Sequence, residues 1–108
     1  MKGGVYALMS FPLVEGDADL RYEDIVFIDT CGRKCVFHTV DGRVFQIYRK
    51  LDVLQKEFEK HGFIRCHRCY MINRHFAVSL KNYVITLSDG STFSVSRARY
   101  GDVKEKLL

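Results

Sequence analysis

Two Asp-Gly pairs, Asp41-Gly42 and Asp89-Gly90, limit the folds open to this chain more than any other feature of its sequence. Each pair lies between short runs of apolar, β-branched or aromatic residues. An Asp-Gly pair in that setting fits a two-residue type I′ turn, which joins two antiparallel strands. A third tight turn, this one basic, is predicted at residues 31–34 (CGRK). The sequence therefore predicts a series of β-hairpins.

Short strands and one clear helix are predicted around these turns. The predicted strands are residues 4–10, 24–29, 35–40, 43–48, 63–67, 70–72, 76–80, 84–87 and 92–95. Leu51, Leu54 and Phe58 recur at helical spacing, which predicts an amphipathic helix from residue 50 to about 61 that stops at Gly62. The tail from residue 97 or 99 to 108 is expected to form a short final helix. We expect a mainly β fold: short antiparallel sheets with the amphipathic helix packed between or against them.

The length of the chain and its composition fit one globular domain. We expect residues 1–108 to fold as a single unit, since domains of about 100–150 residues are the commonest. A hydrophobic content of 47% and a charged content of 28% are ordinary for such a domain. No stretch reaches the roughly 18–20 apolar residues of a membrane helix, and the first residues lack the apolar core of a signal peptide. We therefore expect a cytoplasmic protein without a membrane partner.

Positive charge is concentrated in one part of the sequence. Residues 1–30 contain two basic and six acidic residues, whereas residues 31–108 contain fifteen basic and seven acidic residues. A domain this basic attracts polyanions through long-range electrostatics. The basic residues singled out at predicted turns and strand ends are Arg33-Lys34, Arg65 with His67 and Arg68, Arg74-His75, and Arg97 with Arg99. Basic loops favour a nucleic-acid reader of the β type over one that inserts a helix into the groove.

The four cysteines form two close pairs, Cys31 with Cys35 and Cys66 with Cys69. Zinc would need four such ligands converging on one point. However, the second pair contains no turn-forming residue and continues into an extended run, so its two thiols are expected to point apart. We expect free thiols in a reducing compartment and no metal, with zinc as the alternative.

Catalytic patterns are missing from the sequence. It contains no phosphate-binding glycine loop, no G-x-S-x-G, no H-E-x-x-H and no cluster of carboxylates for metal ions. We therefore expect a binding module without enzymatic activity, cofactor or small-molecule substrate. From these residues alone a second class stays open, a non-catalytic β-rich protein-interaction domain whose basic surface meets an acidic protein partner.

Three motifs, DIVFIDT at residues 24–30, FIRCHRCYMIN at residues 63–73 and LSDG followed by FSVSR at residues 87–97, occur in an order that resembles the LytTR DNA-binding domains. Residues 63–73 (FIRCHRCYMIN) resemble the family signature R-[apolar]-H-R-S-[aromatic]-[apolar]-[apolar]-N. Residues 87–90 (LSDG) followed by 93–97 (FSVSR) resemble its terminal L-x-D-G…V-S-R motif, and residues 24–30 (DIVFIDT) resemble its opening strand. The Asp41-Gly42 turn and the helix from residue 50 also fall where the family has them. The resemblance covers residues 20–107.

The resemblance implies sequence-specific binding of double-stranded DNA by the output domain of a bacterial transcriptional response regulator. It implies loops that enter successive major grooves, paired direct-repeat sites that two copies would occupy, and an N-terminal receiver domain in the full-length protein. By the same resemblance, the base contacts fall to Arg33, Lys34, Arg68 and Arg97, and the phosphate contacts to Arg74 and Arg99. The chain departs from the family pattern at Cys66, Cys69 and Ser94, which leaves open a redox role for Cys66 or Cys69.

Overall fold

The structure is a computed structural model that describes residues 20–107. Within that range the chain forms β1 (Ile25–Cys31), β2 (Lys34–Thr39), β3 (Val44–Ile47), α1 (Leu51–Glu59), β4 (Phe63–His67), β5 (Tyr70–Asn73), β6 (Ala77–Lys81), β7 (Val84–Leu87), β8 (Thr92–Ser94) and α2 (Tyr100–Leu107). Short 3₁₀ turns occupy Tyr22–Asp24, Arg74–Phe76 and Arg97–Arg99. The predicted strand at residues 4–10 lies outside the described residues. In the part that is described, neither helix is long and apolar enough to cross a membrane.

The strands form two antiparallel sheets, as the hairpin signals predicted. One sheet has five strands in the order β3-β2-β1-β5-β4, and the other has three in the order β6-β7-β8. Sequence neighbours pair throughout, except where β1 pairs with β5 at the centre of the larger sheet. That central pairing joins two hairpins that are distant in sequence, so it could not be inferred from local turn signals.

Each face of the five-stranded sheet has its own apolar cluster. On one face α1 packs against the sheet, and Leu54 and Phe58 are fully buried there. The Phe58 ring meets the Phe63 ring edge-on at 5.0 Å between centroids. On the other face the three-stranded sheet and α2 cover a second cluster that includes Ile72 and Ile85. The amphipathic helix therefore packs against the larger sheet rather than between the two sheets.

The two Asp-Gly pairs form hairpin loops, but not of the predicted type. In the first loop the Gly42 amide donates to the Thr39 carbonyl and the Thr39 amide donates to the Arg43 carbonyl, which encloses three residues. Only the glycine has a positive φ, +83°, whereas a type I′ turn needs positive φ at both central residues. The Asp41 carboxylate instead accepts a hydrogen bond from the Thr39 hydroxyl at 2.5 Å, which stabilises the longer loop. The Asp89-Gly90 loop repeats this pattern, with Gly90 at φ +90°.

Two-residue turns occur elsewhere. Gly32 and Arg33 connect β1 to β2, and a positive φ at Gly32 alone fits a type II′ turn. Asn82 and Tyr83 connect β6 to β7 with φ of 52° and 63°, which fits a type I′ turn. Tyrosine rarely adopts this conformation, so sequence patterns give no signal for it.

The β4–β5 connection is also a two-residue turn, Arg68 and Cys69. This turn and the β1–β2 and β6–β7 turns lie together at one end of the molecule, here called the turn end. Strands β1 and β5 pair through Asp29 and Tyr70, so the β1–β2 and β4–β5 turns are neighbours. The Val95 amide donates to the Tyr83 carbonyl, which brings the β6–β7 turn to the same end. The two Asp-Gly loops lie at the opposite end of the sheets.

Candidate nucleic-acid interface

A groove with a cavity of about 250 Å³ opens at the turn end, between the β1–β2 turn, the start of α1 and the β4–β5 turn. Besides the buried Arg65, five cationic side chains line it, and these five define the basic groove: Arg33, Lys34, Arg49, Lys50 and Arg68. Two of them, Arg49 and Lys50, were missed from the sequence because they stand at the β3–α1 junction rather than at a recognised turn. Their position just before a helix could have been a signal, since helix N-termini favour anions.

Arg33 and Lys34 reach the basic groove from the β1–β2 turn. Arg33 is exposed as the second residue of the turn, and it forms no ion pair with any residue from 20 to 107. The Lys34 ammonium lies 5.4 Å from the centroid of the Tyr48 ring, which is 63% exposed. A cation held against an aromatic face stays accessible to an anion on its other side.

Arg68 occupies the β4–β5 turn and is exposed. The turn is ordered by its neighbours: the Cys69 amide donates to His67 Nδ1 at 3.1 Å, and the His67 ring stacks on Tyr70 with centroids 4.7 Å apart. The Arg68 guanidinium is engaged in no ion pair within the described range. It is therefore available to an external partner.

Arg65 differs from the other basic residues of this region. From its position in the sequence, Arg65 was predicted to be a surface cation like Arg68. In the structure it is only 4% exposed and lies beneath the basic groove. Its guanidinium pairs with Asp52 at 2.8 Å. A hydrogen bond from Arg65 and its charge hold the pKa of the Asp52 carboxyl below its usual range. This salt bridge offsets the negative charge of Asp52, which also lines the groove.

Arg97 and Arg99 follow β8 and are held at the turn end. The Ser96 amide donates to the Cys66 carbonyl at 3.0 Å, so the segment leading to Arg97 runs beside β4. The Arg97 guanidinium lies 5.7 Å from the centroid of the Tyr83 ring in the β6–β7 turn. Arg99 is near enough to Asp52 to contribute to lowering the pKa of that carboxyl.

Arg74 is not brought together with the other predicted site residues. Its amide donates to the Gly62 carbonyl at 2.9 Å, at the opposite end of the β4–β5 hairpin from Arg68. There it lines a separate cleft that also contains Glu59 and Glu105. The structure thus gathers Arg33, Lys34, Arg68, Arg97 and Arg99 at the turn end, and leaves Arg74 apart.

The cysteines divide into two exposed and two buried thiols. Cys31 and Cys69 are exposed, whereas Cys35 and Cys66 are buried, and all four are free. Burial raises the pKa of the Cys66 thiol to about 12 and that of Cys35 to about 11. Between residues 20 and 107, no three His, Cys, Asp or Glu side chains are grouped so that they could hold a metal ion.

Comparison with known proteins agrees with this architecture. The profile of the LytTr DNA-binding domain family matches residues 18–108. Among solved structures, the chain is similar to the LytTr DNA-binding domain of a protein described as a putative methyl-accepting/DNA response regulator from Bacillus cereus. That match has a TM-score of 0.78 at 14% sequence identity, and it covers 94% of this chain and 96% of the other. No curated protein matches the chain at a significant level.

Two antiparallel sheets whose turns support a cationic groove define a small β-type nucleic-acid-binding module. The family profile matches most of the chain, and the chain belongs to the LytTr DNA-binding domain family. The resemblance inferred from the sequence motifs and the predicted fold class are both confirmed. DNA binding is the function that membership of this family supports.

Proposed function

We propose that this domain binds double-stranded DNA sequence-specifically, as the cytoplasmic output domain of a bacterial transcriptional response regulator. The observation that carries the proposal is the basic groove, with Arg97 and Arg99 beside it at the same end of the molecule. Turns that project from a rigid sheet fit the major groove, which is about 12 Å wide and admits a two-stranded ribbon.

The cations divide into two roles under this proposal. Arg33, Lys34, Arg68 and Arg97 project from turns and contact base edges, where an arginine fork can pair with guanine O6 and N7. Arg49, Lys50, Arg99 and Arg74 contact phosphates, which supply affinity and fix the register. The first turn of α1 borders the basic groove, and the positive end of the helix dipole favours a phosphate there.

Membership of the family supports the proposed regulator role. We infer that the full-length protein carries an N-terminal receiver domain, and that two copies occupy paired direct repeats. The cations that line the groove support binding of a polyanion such as DNA.

The decisive experiment is in vitro selection from a random duplex library at low and at physiological salt. We expect a short enriched motif, present as a direct repeat if two copies bind together. Four phosphate contacts predict a slope of log K against log salt of about −4. Binding that disappears with salt and enriches no motif would overturn the proposal.

The same experiment separates the rival function. A protein-interaction domain with a basic surface would show no preference among duplexes, and its affinity for DNA would follow net charge alone. We favour DNA over an acidic protein partner because two of the cations, Lys34 and Arg97, lie against aromatic rings that orient them.

A further inference from the structure

Arg65 is a cation of the motif region that cannot contact DNA directly. It is 4% exposed and its side chain lies beneath the basic groove. Burying an arginine is costly unless its charge is paired and its N–H groups are bonded. The hydrogen-bond partners of Arg65 therefore indicate which parts of the structure it holds in place.

Four hydrogen bonds hold the Arg65 guanidinium, which has five N–H groups. Nε donates to the His67 carbonyl at 2.7 Å, and a terminal nitrogen donates to the Arg68 carbonyl at 2.6 Å. The other terminal nitrogen donates to the Asp52 carboxylate and to the Gln55 side-chain carbonyl, both at 2.8 Å. Two bonds thus go to the β4–β5 turn and two to the first turns of α1.

The two carbonyls belong to the peptide groups on either side of the Arg68 Cα. With both peptide planes held by one rigid guanidinium, the direction of the Arg68 side chain is fixed. The two bonds to α1 fix the turn relative to the helix start, where Lys50 lies. Arg65 therefore sets the distance between a cation on the turn and a cation at the helix.

We propose that Arg65 is a positioning residue that sets the direction of Arg68 and so determines how sharply the domain distinguishes DNA sequences. This inference rests on the proposed function, because its consequence is measured on DNA. Asp52 and Gln55 on α1 accept the other two hydrogen bonds that hold the Arg65 guanidinium in place. Asp52 pairs with Arg65 at 2.8 Å although its side chain is 81% exposed.

The first arm of the test needs no DNA. Arg65→Lys keeps the charge but loses the planar fork, so one nitrogen cannot reach both carbonyls and α1. Asp52→Ala removes one anchor from an exposed position and leaves the core intact. We expect amide hydrogen exchange of residues 67–69 to quicken in both variants. Arg43→Lys is the matched control, since Arg43 pairs with Asp41 at 2.8 Å in the exposed loop at the other end.

The second arm measures affinity for the selected duplex and for a random duplex. We expect Arg65→Lys to bind the selected duplex about tenfold more weakly and the random duplex unchanged, and Asp52→Ala to lose less in the same direction. Because Arg65 acts through Arg68, the double variant Arg65→Lys/Arg68→Ala should bind no more weakly than Arg68→Ala alone.

Each result decides between positioning and simple structural support. Exchange that stays slow, equal losses on both duplexes, or additive losses in the double variant would overturn the inference. If the wild-type chain shows no duplex preference, the proposed function fails. The exchange rates in the two variants then still show whether the hydrogen bonds of Arg65 order the β4–β5 turn.

Discussion

Arg97 is oriented by an aromatic ring rather than by a carboxylate. Its guanidinium lies 5.7 Å from the centroid of the Tyr83 ring, and no Asp or Glu between residues 20 and 107 forms an ion pair with it. A base-reading arginine needs that freedom, because pairing with guanine uses two parallel N–H groups. The side chain is thus ordered in advance without losing the groups that recognise DNA.

Replacing Arg97 with alanine is expected to cost about 1–3 kcal/mol on the selected duplex and to relax one base position. Random DNA should be bound almost as before, since few phosphate contacts are lost. Competition titrations and a repeated selection would measure both effects, with Arg43→Ala as a control from the opposite end. Equal losses on selected and random DNA would reassign Arg97 to a phosphate contact.

The thiols of this domain differ in accessibility. At about pH 8 we expect a thiol reagent to label Cys31 and Cys69 quickly, and to reach Cys35 and Cys66 only on unfolding, because the second pair is buried. Labelling kinetics followed by peptide mapping would check this. Rapid labelling of Cys66 in the folded domain would show that its strand opens readily.

Stability should fall in alkali. Burial raises the pKa of Cys66 from 9.0 to about 12 and that of Tyr22 from 10.0 to about 12. A group with a raised folded pKa binds its proton more tightly when folded, so its stabilisation is complete below the unfolded pKa and is lost as pH rises towards the folded pKa. Denaturant titrations should show a decreasing free energy of unfolding between about pH 9 and pH 12, less steeply in Cys66→Ala. A constant value across that range would contradict the prediction.

At the level of elements, the hairpins could be predicted and their turn types could not. Alternating apolar segments around Asp-Gly pairs located the strands, because pairing of neighbours is a local property. Loop length depended on a further contact, the hydroxyl of Thr39 bonding to Asp41. The type I′ turn at Asn82-Tyr83 was missed because its conformation is imposed by packing, including the contact of the Tyr83 ring with the Tyr100 ring at 4.3 Å between centroids.

The Asp89-Gly90 loop and α2 give a matched pair of glycine substitutions. Gly90 has φ +90° and open space where a Cβ would stand, so Gly90→Ala should destabilise the domain by about 1–2 kcal/mol through backbone strain alone. Gly101 lies in α2 with equally open surroundings and no positive φ, so Gly101→Ala should stabilise by about 0.5–1 kcal/mol. Thermal or denaturant unfolding would measure both. The same sign for the two variants would contradict the assigned loop conformation.

At the scale of the whole molecule, the sequence predicted short antiparallel sheets, an amphipathic helix and a short final helix, but neither the number of sheets nor their arrangement. The buried state of Arg65 depends on Asp52 and Gln55, which lie on α1 and are distant in sequence. Likewise Arg49 and Lys50 become part of the basic groove only when the β3–α1 junction is folded beside two turns. Such sites are formed by tertiary contacts, whereas the motif cations could be found because family motifs are contiguous in sequence.

The isolation of Arg74 makes its role dependent on the length of the duplex. Arg68 and Arg74 lie at opposite ends of a hairpin, and six extended residues span up to roughly 20 Å. Arg74 can contact phosphate only if the DNA continues, or bends, past that edge of the domain. On a long duplex we expect Arg74→Ala to weaken all sequences alike and to lower the salt slope by about one.

A short duplex that covers only the turn end provides the control. There Arg74→Ala should leave both affinity and salt slope unchanged, while Arg99→Ala should lower the slope by about one. Titrations at several salt concentrations would measure these slopes. An unchanged slope for Arg74→Ala on the long duplex would remove Arg74 from the interface.

The cations of the turn end belong to separate hairpins, and this separation has an evolutionary consequence. The β1–β2 turn, the β4–β5 turn and the segment after β8 share no residues. A substitution in one of them can alter recognition of one part of a binding site while the other two remain attached to DNA. Paralogues of such a domain can therefore diverge in target sequence one segment at a time. Each intermediate form still binds DNA.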